Sequence, residues 1–183
     1  MIELIKKNKA VVKFLLLFGG SYVILALGYQ YYLTHFSSQE YYPDYITHLV
    51  TKQSKYVVES LGYDVRIAPH PNDLSMKFII NDNYVARIVE GCNAISVMIL
   101  FVAFIIAFHT NFKKTFLFAF SGATLIYALN IIRVGLLCIG IHEYPEYASF
   151  LHDIVFPGFI YGVVFLLWMI WVRMSTERKK VNT

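Results

Sequence analysis

Charge is scarce in this sequence. Only 15% of the 183 residues are Asp, Glu, Lys or Arg, and 57% are hydrophobic. Average soluble domains contain about 25% charged residues and are about half apolar. The composition therefore excludes a disordered chain and argues against an ordinary water-soluble domain.

Cysteine and excess charge of one sign are also scarce. The two cysteines cannot form a disulfide scaffold. The net charge of +4 is small and dispersed, so we expect no nucleic-acid partner. His35, His48 and His70 lack the spacing of metal ligands, and we expect neither a metal nor a cofactor.

Long apolar stretches are what the sequence does contain. They cover residues 11–33, 92–108, 115–141 and 154–172. A helix that spans a bilayer needs about 20 apolar residues. The sequence therefore predicts an all-α polytopic membrane protein with about four transmembrane helices and a small extracytoplasmic α+β insertion between helices 1 and 2.

The first apolar stretch also has features of a signal peptide. Basic residues precede its core, and residues 26–28 resemble a poor cleavage site. The stretch is too long for a typical signal core, however, and it ends in tyrosines of the kind found at a bilayer interface. We therefore predict an uncleaved anchor. The basic residues are Lys6, Lys7 and Lys9, and the tyrosines are Tyr29, Tyr31 and Tyr32.

The charged residues predict the orientation in the membrane. Ten of the sixteen Lys and Arg residues lie at 6–13, 113–114 and 173–180, whereas ten of the twelve acidic residues lie within 34–91 and 142–153. Because cytoplasmic loops carry the excess of Lys and Arg, both termini are expected in the cytoplasm. We therefore expect a multi-pass protein of the cytoplasmic (inner) membrane with its active site at the outer face.

The chain divides into four segments on this basis. The cytoplasmic N-terminus and first span occupy residues 1–33, and the extracytoplasmic insertion occupies 34–91. A catalytic bundle of three spans follows at 92–173, and a basic cytoplasmic tail at 174–183. Because so short an insertion is marginal as an independent domain, we expect it to pack on the outer ends of the helices.

Periodicity predicts the elements of the insertion. Apolar residues recur at helical spacing over residues 44–61, which predicts an amphipathic helix. Two strand-like runs, 76–80 and 84–89, flank Asn81-Asp82-Asn83, which predicts a hairpin turn. Residues 65–68 are predicted to add a third strand.

One charged residue lies deep in an apolar stretch. Arg133 shares a helical face with Asn130, and a charge inside a span is a functional hypothesis by default. Counting about 1.5 Å per residue from Thr115 places Arg133 about 27 Å along the helix, near the outer edge of an apolar core about 30 Å thick. Cys92 and His152 are expected at the same level, because their spans begin at the outside.

These three side chains suit a cysteine-based active site. The thiolate is the nucleophilic form of cysteine, and a nearby cation or helix N-terminus favours it. His152 is the candidate proton carrier, and Arg133 is the candidate group for stabilising negative charge. Supporting residues are Glu90, Asn93, Asn130 and Asp153, and reserve candidates for the acid/base role are His142 and Glu143.

Each of these residues also has a purely structural interpretation. Cysteine is often a small buried hydrophobe, Arg133 would reach the headgroups from a helix end, and His152 would cap the fourth helix with Asp153. Cys138, turned about 140° from Arg133 on the helix, is interpreted as a packing residue. A disulfide between Cys92 and Cys138 is a further alternative, and it would remove the proposed nucleophile.

Three short segments carry a resemblance to a known family. Val89-Glu90-Gly91-Cys92-Asn93-Ala94, Asn130-Ile131-Ile132-Arg133-Val134 and Phe150-Leu151-His152-Asp153 resemble, in this order, motifs of the exosortase/archaeosortase family. Members of this family are membrane-embedded cysteine transpeptidases. The resemblance covers residues 89–171 and looks most like the short exosortase F branch. Many members have more spans than the four predicted here.

The resemblance implies a function in protein sorting. Its substrates would be exported proteins that end in a recognition motif, a hydrophobic helix and a basic cluster, with the lipid bilayer and an accessory membrane protein as further partners. It implies that Cys92 cleaves this signal through a thioester, which an acceptor nucleophile resolves, and that Arg133 and His152 complete the site. The alternative is a non-catalytic membrane subunit that binds a partner through the insertion.

Overall fold

The structure, a computed structural model, describes residues 8–35, 41–109 and 111–181. Lys6 and Lys7 of the predicted basic N-terminus lie outside these residues, and so do the side chains at 178–180. The helices are α1 (Lys9–His35), α2 (Tyr45–Ser60), α3 (Ile95–Ala107), α4 (Phe112–Glu143) and α5 (Phe156–Val181), and the strands are β1 (Val65–Pro69), β2 (Met76–Ile80) and β3 (Asn83–Ile88).

Three helical segments are long and apolar enough to cross a membrane. They are Val11–His35, Phe112–Glu143 and Pro145–Ser175, of which the last includes the turns that precede α5. The predicted second span at 92–108 forms a helix of only 13 residues, α3, about 20 Å long at the usual helical rise. The protein is therefore a mostly helical, multi-pass membrane protein, while the count of four spans is not confirmed.

The short helix α3 lies between the other bundle helices. It contacts α1, α4 and α5, and Phe101, Ala103 and Ile105 are fully buried. Its apolar composition therefore reflects burial inside the protein as well as a membrane environment. The helix begins late because Ala94 adopts a left-handed conformation (φ 62°) at its N-cap, so Cys92 lies on a separate turn.

Aromatic rings hold the bundle together around α3. Phe104 stacks on Trp168 of α5 with 4.4 Å between ring centroids, and it meets Phe14 of α1 edge to face at 6.0 Å. Phe118 of α4 contacts Trp171 of α5 at 4.9 Å. Such pairs add about 0.5–1.5 kcal/mol each beyond the area they bury.

The insertion contains the elements that periodicity predicts. Helix α2 begins after Asp44, whose side chain accepts hydrogen bonds from the backbone N–H groups of Ile46 and Thr47, both at 3.0 Å. The three strands form one antiparallel sheet in the order β1-β2-β3. Asn81 and Asp82 connect β2 to β3 with φ of 48° and 65°, and two positive φ values are the requirement of a type I′ hairpin turn.

The core of the insertion is completed by α4. Val58, Phe78 and Ile80 of the insertion are fully buried in one cluster with Val134 and Cys138 of α4. The hydroxyl of Ser54 also donates to the carbonyl of Ile131 at 3.1 Å. The insertion therefore packs on the bundle rather than standing alone, as its small size leads us to expect.

Gly122 of α4 provides a test of the bundle packing. A Cβ added there would lie 2.4 Å from Cζ of Phe101, a fully buried ring. Gly122→Ala is therefore expected to destabilise the protein by about 1–3 kcal/mol, an overpacking cost that lowers the Tm by several degrees. The measurement is thermal unfolding of the purified protein in detergent.

Gly162 of α5 is the matched control. A Cβ added there meets nothing within 4 Å, so Gly162→Ala is expected to leave the Tm unchanged or to raise it slightly. Equal Tm values for the two variants would contradict the observed contact of α3 with α4.

Candidate active site

Cys92 lies on a turn between the insertion and the bundle. Residues Glu90–Cys92 form a 3₁₀ turn after β3, closed by a 2.9 Å hydrogen bond from the N–H of Cys92 to the carbonyl of Val89. The thiol is free and partly buried. Cys138 is also free, and it is fully buried in the core shared by the insertion and α4. The structure therefore has no disulfide between the two cysteines and supports the packing role of Cys138.

Asn93 fixes the turn from one side. Its side chain is almost fully buried, and Nδ2 donates to the hydroxyls of Tyr29 at 2.8 Å and Thr47 at 3.1 Å. Its Oδ1 accepts from the N–H of Ile95 at 2.9 Å. One amide thereby joins α1, α2 and the first turn of α3, and a fully bonded buried amide of this kind rigidifies the backbone around it.

Asn130 fixes the same turn from the other side. It is fully buried, and its Nδ2 donates to the backbone carbonyl of Cys92 at 2.8 Å. Its Oδ1 accepts from Nη1 of Arg133 at 3.4 Å. Asn130 and Arg133 therefore share a helical face, as their spacing predicts, and Asn130 links the arginine to the backbone of the cysteine.

Arg133 has a charged head group with few partners. Its Nε is buried and has no hydrogen-bond partner, and no ion pair found in the described part of the chain includes Arg133. Cys92, Cys138 and Tyr161 lie near its guanidinium. A desolvated cation is expensive without an anion, so this environment favours a negative charge beside Cys92.

His152 lies on an irregular turn that precedes α5. It belongs to the π-helical turn Leu151–Val155, where its exposed ring bonds through Nδ1 to Oδ1 of Asp153 at 2.7 Å. Leu151 faces Gly140 of α4, which is about 10 Å beyond Arg133 along the helix. Within the described ranges, no hydrogen bond joins His152 to Cys92 or Arg133.

The reserve residues contact the insertion. Glu143 accepts a hydrogen bond from the hydroxyl of Tyr63 at 3.0 Å, and this bond raises the pKa of Tyr63. The ring of His142 meets Tyr63 edge to face, with 6.1 Å between centroids. Both residues therefore help to hold the insertion against the end of α4.

The sequence alone did not indicate three residues of this site. Tyr29 was assigned to the bilayer interface, whereas its hydroxyl accepts from Asn93. Thr47, on the buried face of α2, accepts from the same amide. Tyr161 of α5 lies near the guanidinium of Arg133. All three partnerships join different helices, so spacing along the chain could not reveal them.

The long apolar helices define a polytopic membrane protein. They surround a candidate site made of a cysteine, an arginine and a buried asparagine. The model of the family described as Transmembrane exosortase (Exosortase_EpsH) matches residues 10–171, most of the chain. The chain therefore belongs to the transmembrane exosortase family. Membership in this family indicates a membrane protease or transpeptidase that acts on exported proteins carrying sorting signals.

One curated relative supports the same assignment. The probable archaeosortase E of Methanocaldococcus jannaschii is 27% identical over 136 residues, which cover 74% of this chain and 70% of that protein. No solved structure matches the chain.

Proposed function

We propose that this protein is a cysteine transpeptidase of the short exosortase F type, with Cys92 as its nucleophile. The observation that supports this most is the link through Asn130, whose amide bonds both the backbone of Cys92 and the guanidinium of Arg133. The guanidinium is thereby held near a partly exposed thiol, where it can stabilise the oxyanion that forms when the sulfur attacks a carbonyl. The other cysteine is buried and lies in an apolar core, so it is a poor candidate.

In the first half of the proposed reaction, His152 takes the thiol proton of Cys92 and the sulfur adds to the carbonyl carbon of the scissile peptide bond. The carbonyl oxygen becomes an oxyanion, which the guanidinium of Arg133 stabilises. The C–N bond then breaks, the leaving amine takes a proton from His152, and a thioester remains on Cys92. The bond from Asp153 orients the imidazole, and the π-helical turn that carries it is of a kind frequent at functional sites.

In the second half, an acceptor nucleophile attacks the thioester carbonyl. A new bond forms to the acceptor, the C–S bond breaks, and a proton from the acceptor passes to the departing sulfur, which regenerates the Cys92 thiol. The substrates would be exported proteins that end in a recognition motif, a hydrophobic helix and a basic cluster. Co-expression with such a protein should convert its precursor to a shorter form, and a precursor that remains uncleaved would contradict the proposal.

We also propose an orientation for the site. Both termini would be cytoplasmic, α3 would be the second of four spans, and the insertion and Cys92 would face the outside of the inner membrane. The supporting observation is that Cys92 lies where the insertion meets the bundle, at the end opposite Lys113 and Lys114. Helix α4 is about 48 Å long, so its final turns extend beyond an apolar layer about 30 Å thick.

Labelling of single cysteines tests this orientation. Tyr84 in β3 and Lys113 in α4 are both exposed, so each can be changed to cysteine in a Cys92→Ser, Cys138→Ala background. A membrane-impermeant maleimide should label Tyr84→Cys in intact spheroplasts and Lys113→Cys only after lysis. The reverse pattern would overturn the proposed orientation.

A further inference from the structure

A small cleft opens beside the turn that carries Cys92. It lies between α1 and the start of α3 and has a volume of about 240 Å³. Its polar lining comes from Tyr29, Gln30, Glu90 and Ser96. Glu90 belongs to the same 3₁₀ turn as Cys92, so the cleft borders the turn that carries the proposed nucleophile.

The carboxylate of Glu90 is the charged group in this lining. It is partly buried, and no lysine or arginine among residues 8–35, 41–109 and 111–181 forms an ion pair with it. It interacts with the hydroxyl of Tyr29. That hydroxyl already accepts from Asn93, so its own proton is available for the carboxylate.

The hydroxyl of Tyr29 supplies one donor, so most acceptor positions of the Glu90 carboxylate are left without a hydrogen bond. An ionised carboxylate has about four acceptor positions, and a partly desolvated charge without a counter-ion is unfavourable. Gln30 and Ser96 also line the cleft, and their side-chain oxygens can act as neutral acceptors. Together with the Glu90 carboxylate they offer three acceptor groups to the three N–H donors of a primary ammonium group.

We propose that this cleft is a binding site for a primary ammonium group, held by Glu90. Pockets for larger organic ligands have volumes of about 300 Å³ or more. The cleft is smaller, so it suits one ammonium group and a short alkyl stem. The role of the ammonium group in the reaction rests on the proposed transpeptidase function. Two sources are compatible with the chemistry: an amine acceptor, or a lysine of the substrate next to the scissile bond.

For an amine acceptor, the reaction balances without further reagents. The ammonium group loses one proton to the carboxylate of Glu90, and the nitrogen attacks the thioester carbonyl on Cys92. A C–N bond forms, the C–S bond breaks, and the second nitrogen proton passes to the departing thiolate. The products are an amide, the Cys92 thiol and a protonated Glu90.

Carbodiimide coupling tests the binding site without requiring catalysis. The purified full-length chain in detergent is treated with dicyclohexylcarbodiimide and increasing n-butylamine, and butylamide at each glutamate is measured by mass spectrometry. Glu143 is the matched control, because it also contacts a tyrosine hydroxyl but lies outside the cleft. Coupling at Glu90 should saturate, and methylammonium should lower butylamide at Glu90 at concentrations that leave butylamide at Glu143 unchanged, whereas tetramethylammonium, which has no N–H donor, should not.

Coupling that rises linearly at both glutamates, or that is absent at Glu90, would overturn the ammonium site. Such a result would leave the proposed function intact, because the function depends on Cys92. Conversely, failure of Cys92 to form a thioester would refute the function without affecting saturable coupling at Glu90.

Kinetics of Glu90→Gln distinguish the two sources. With n-butylamine as acceptor, an acceptor site predicts that transfer to the amine slows at least about tenfold more than formation or hydrolysis of the Cys92 thioester does. A site for a substrate lysine predicts instead slower thioester formation, reproduced by a lysine-to-glutamine change in the precursor. If neither half-reaction changes, the ammonium site plays no part in the reaction and the proposal fails.

Discussion

Replacing Cys92 by alanine should abolish cleavage of an exported precursor with a C-terminal sorting signal, with a rate loss of at least about a thousandfold. The change removes the sulfur that forms the thioester. Cys92→Ser should be nearly as inactive, because a hydroxyl is far less nucleophilic than a thiolate. The measurement is the ratio of precursor to processed protein during co-expression, followed by immunoblot.

Cys138→Ala is the control for this experiment. Cys138 is a second free thiol that also interacts with Arg133, but it is fully buried in the core. We expect this variant to lose some stability and to retain processing. A non-catalytic membrane subunit would instead tolerate Cys92→Ser and respond to changes in the insertion, so full processing by Cys92→Ser would refute the proposed mechanism.

Replacing Arg133 by glutamine should reduce processing by about 10²–10³-fold, the usual effect of removing one group that stabilises an oxyanion. Arg133→Lys should recover only part of this loss, because an ammonium group cannot match the planar donor geometry of a guanidinium. The thermal stability of Arg133→Gln should stay equal or increase, because the buried Nε has no partner. Processing and Tm are measured on the same preparations.

Arg87→Gln is the matched control for Arg133. Arg87 is an exposed arginine of β3 that pairs with Asp73 at 2.7 Å. Exposed ion pairs contribute at most about 1 kcal/mol, so this variant should process the precursor at the normal rate. A large loss of Tm in Arg133→Gln, with normal processing by the folded fraction, would show that Arg133 has a structural role only.

Local patterns in the sequence predicted much of the architecture. The apolar stretches predicted a membrane protein, and the alternation around Asn81 predicted the hairpin, because both depend on neighbouring residues. The shared face of Asn130 and Arg133 followed from helical spacing. These features are fixed by the geometry of single helices and turns.

Contacts between distant segments could not be predicted in this way. The amide of Asn93 bonds Tyr29 and Thr47, which are 64 and 46 positions away in the sequence. The late start of α3 depends on the left-handed conformation of Ala94, which residue types alone do not indicate. The π-helical turn that holds His152 could not be predicted either, because helical spacing assumes a regular helix.

The central claim is that Cys92 forms a covalent intermediate with the sorting signal. The most direct measurement is intact-protein and peptide mass spectrometry of the full-length chain, quenched in acid during turnover of a precursor. The proposed function predicts an acyl adduct on Cys92 that hydroxylamine releases and that Cys92→Ala lacks. Turnover without an adduct on Cys92, or with an adduct on another residue, would contradict it.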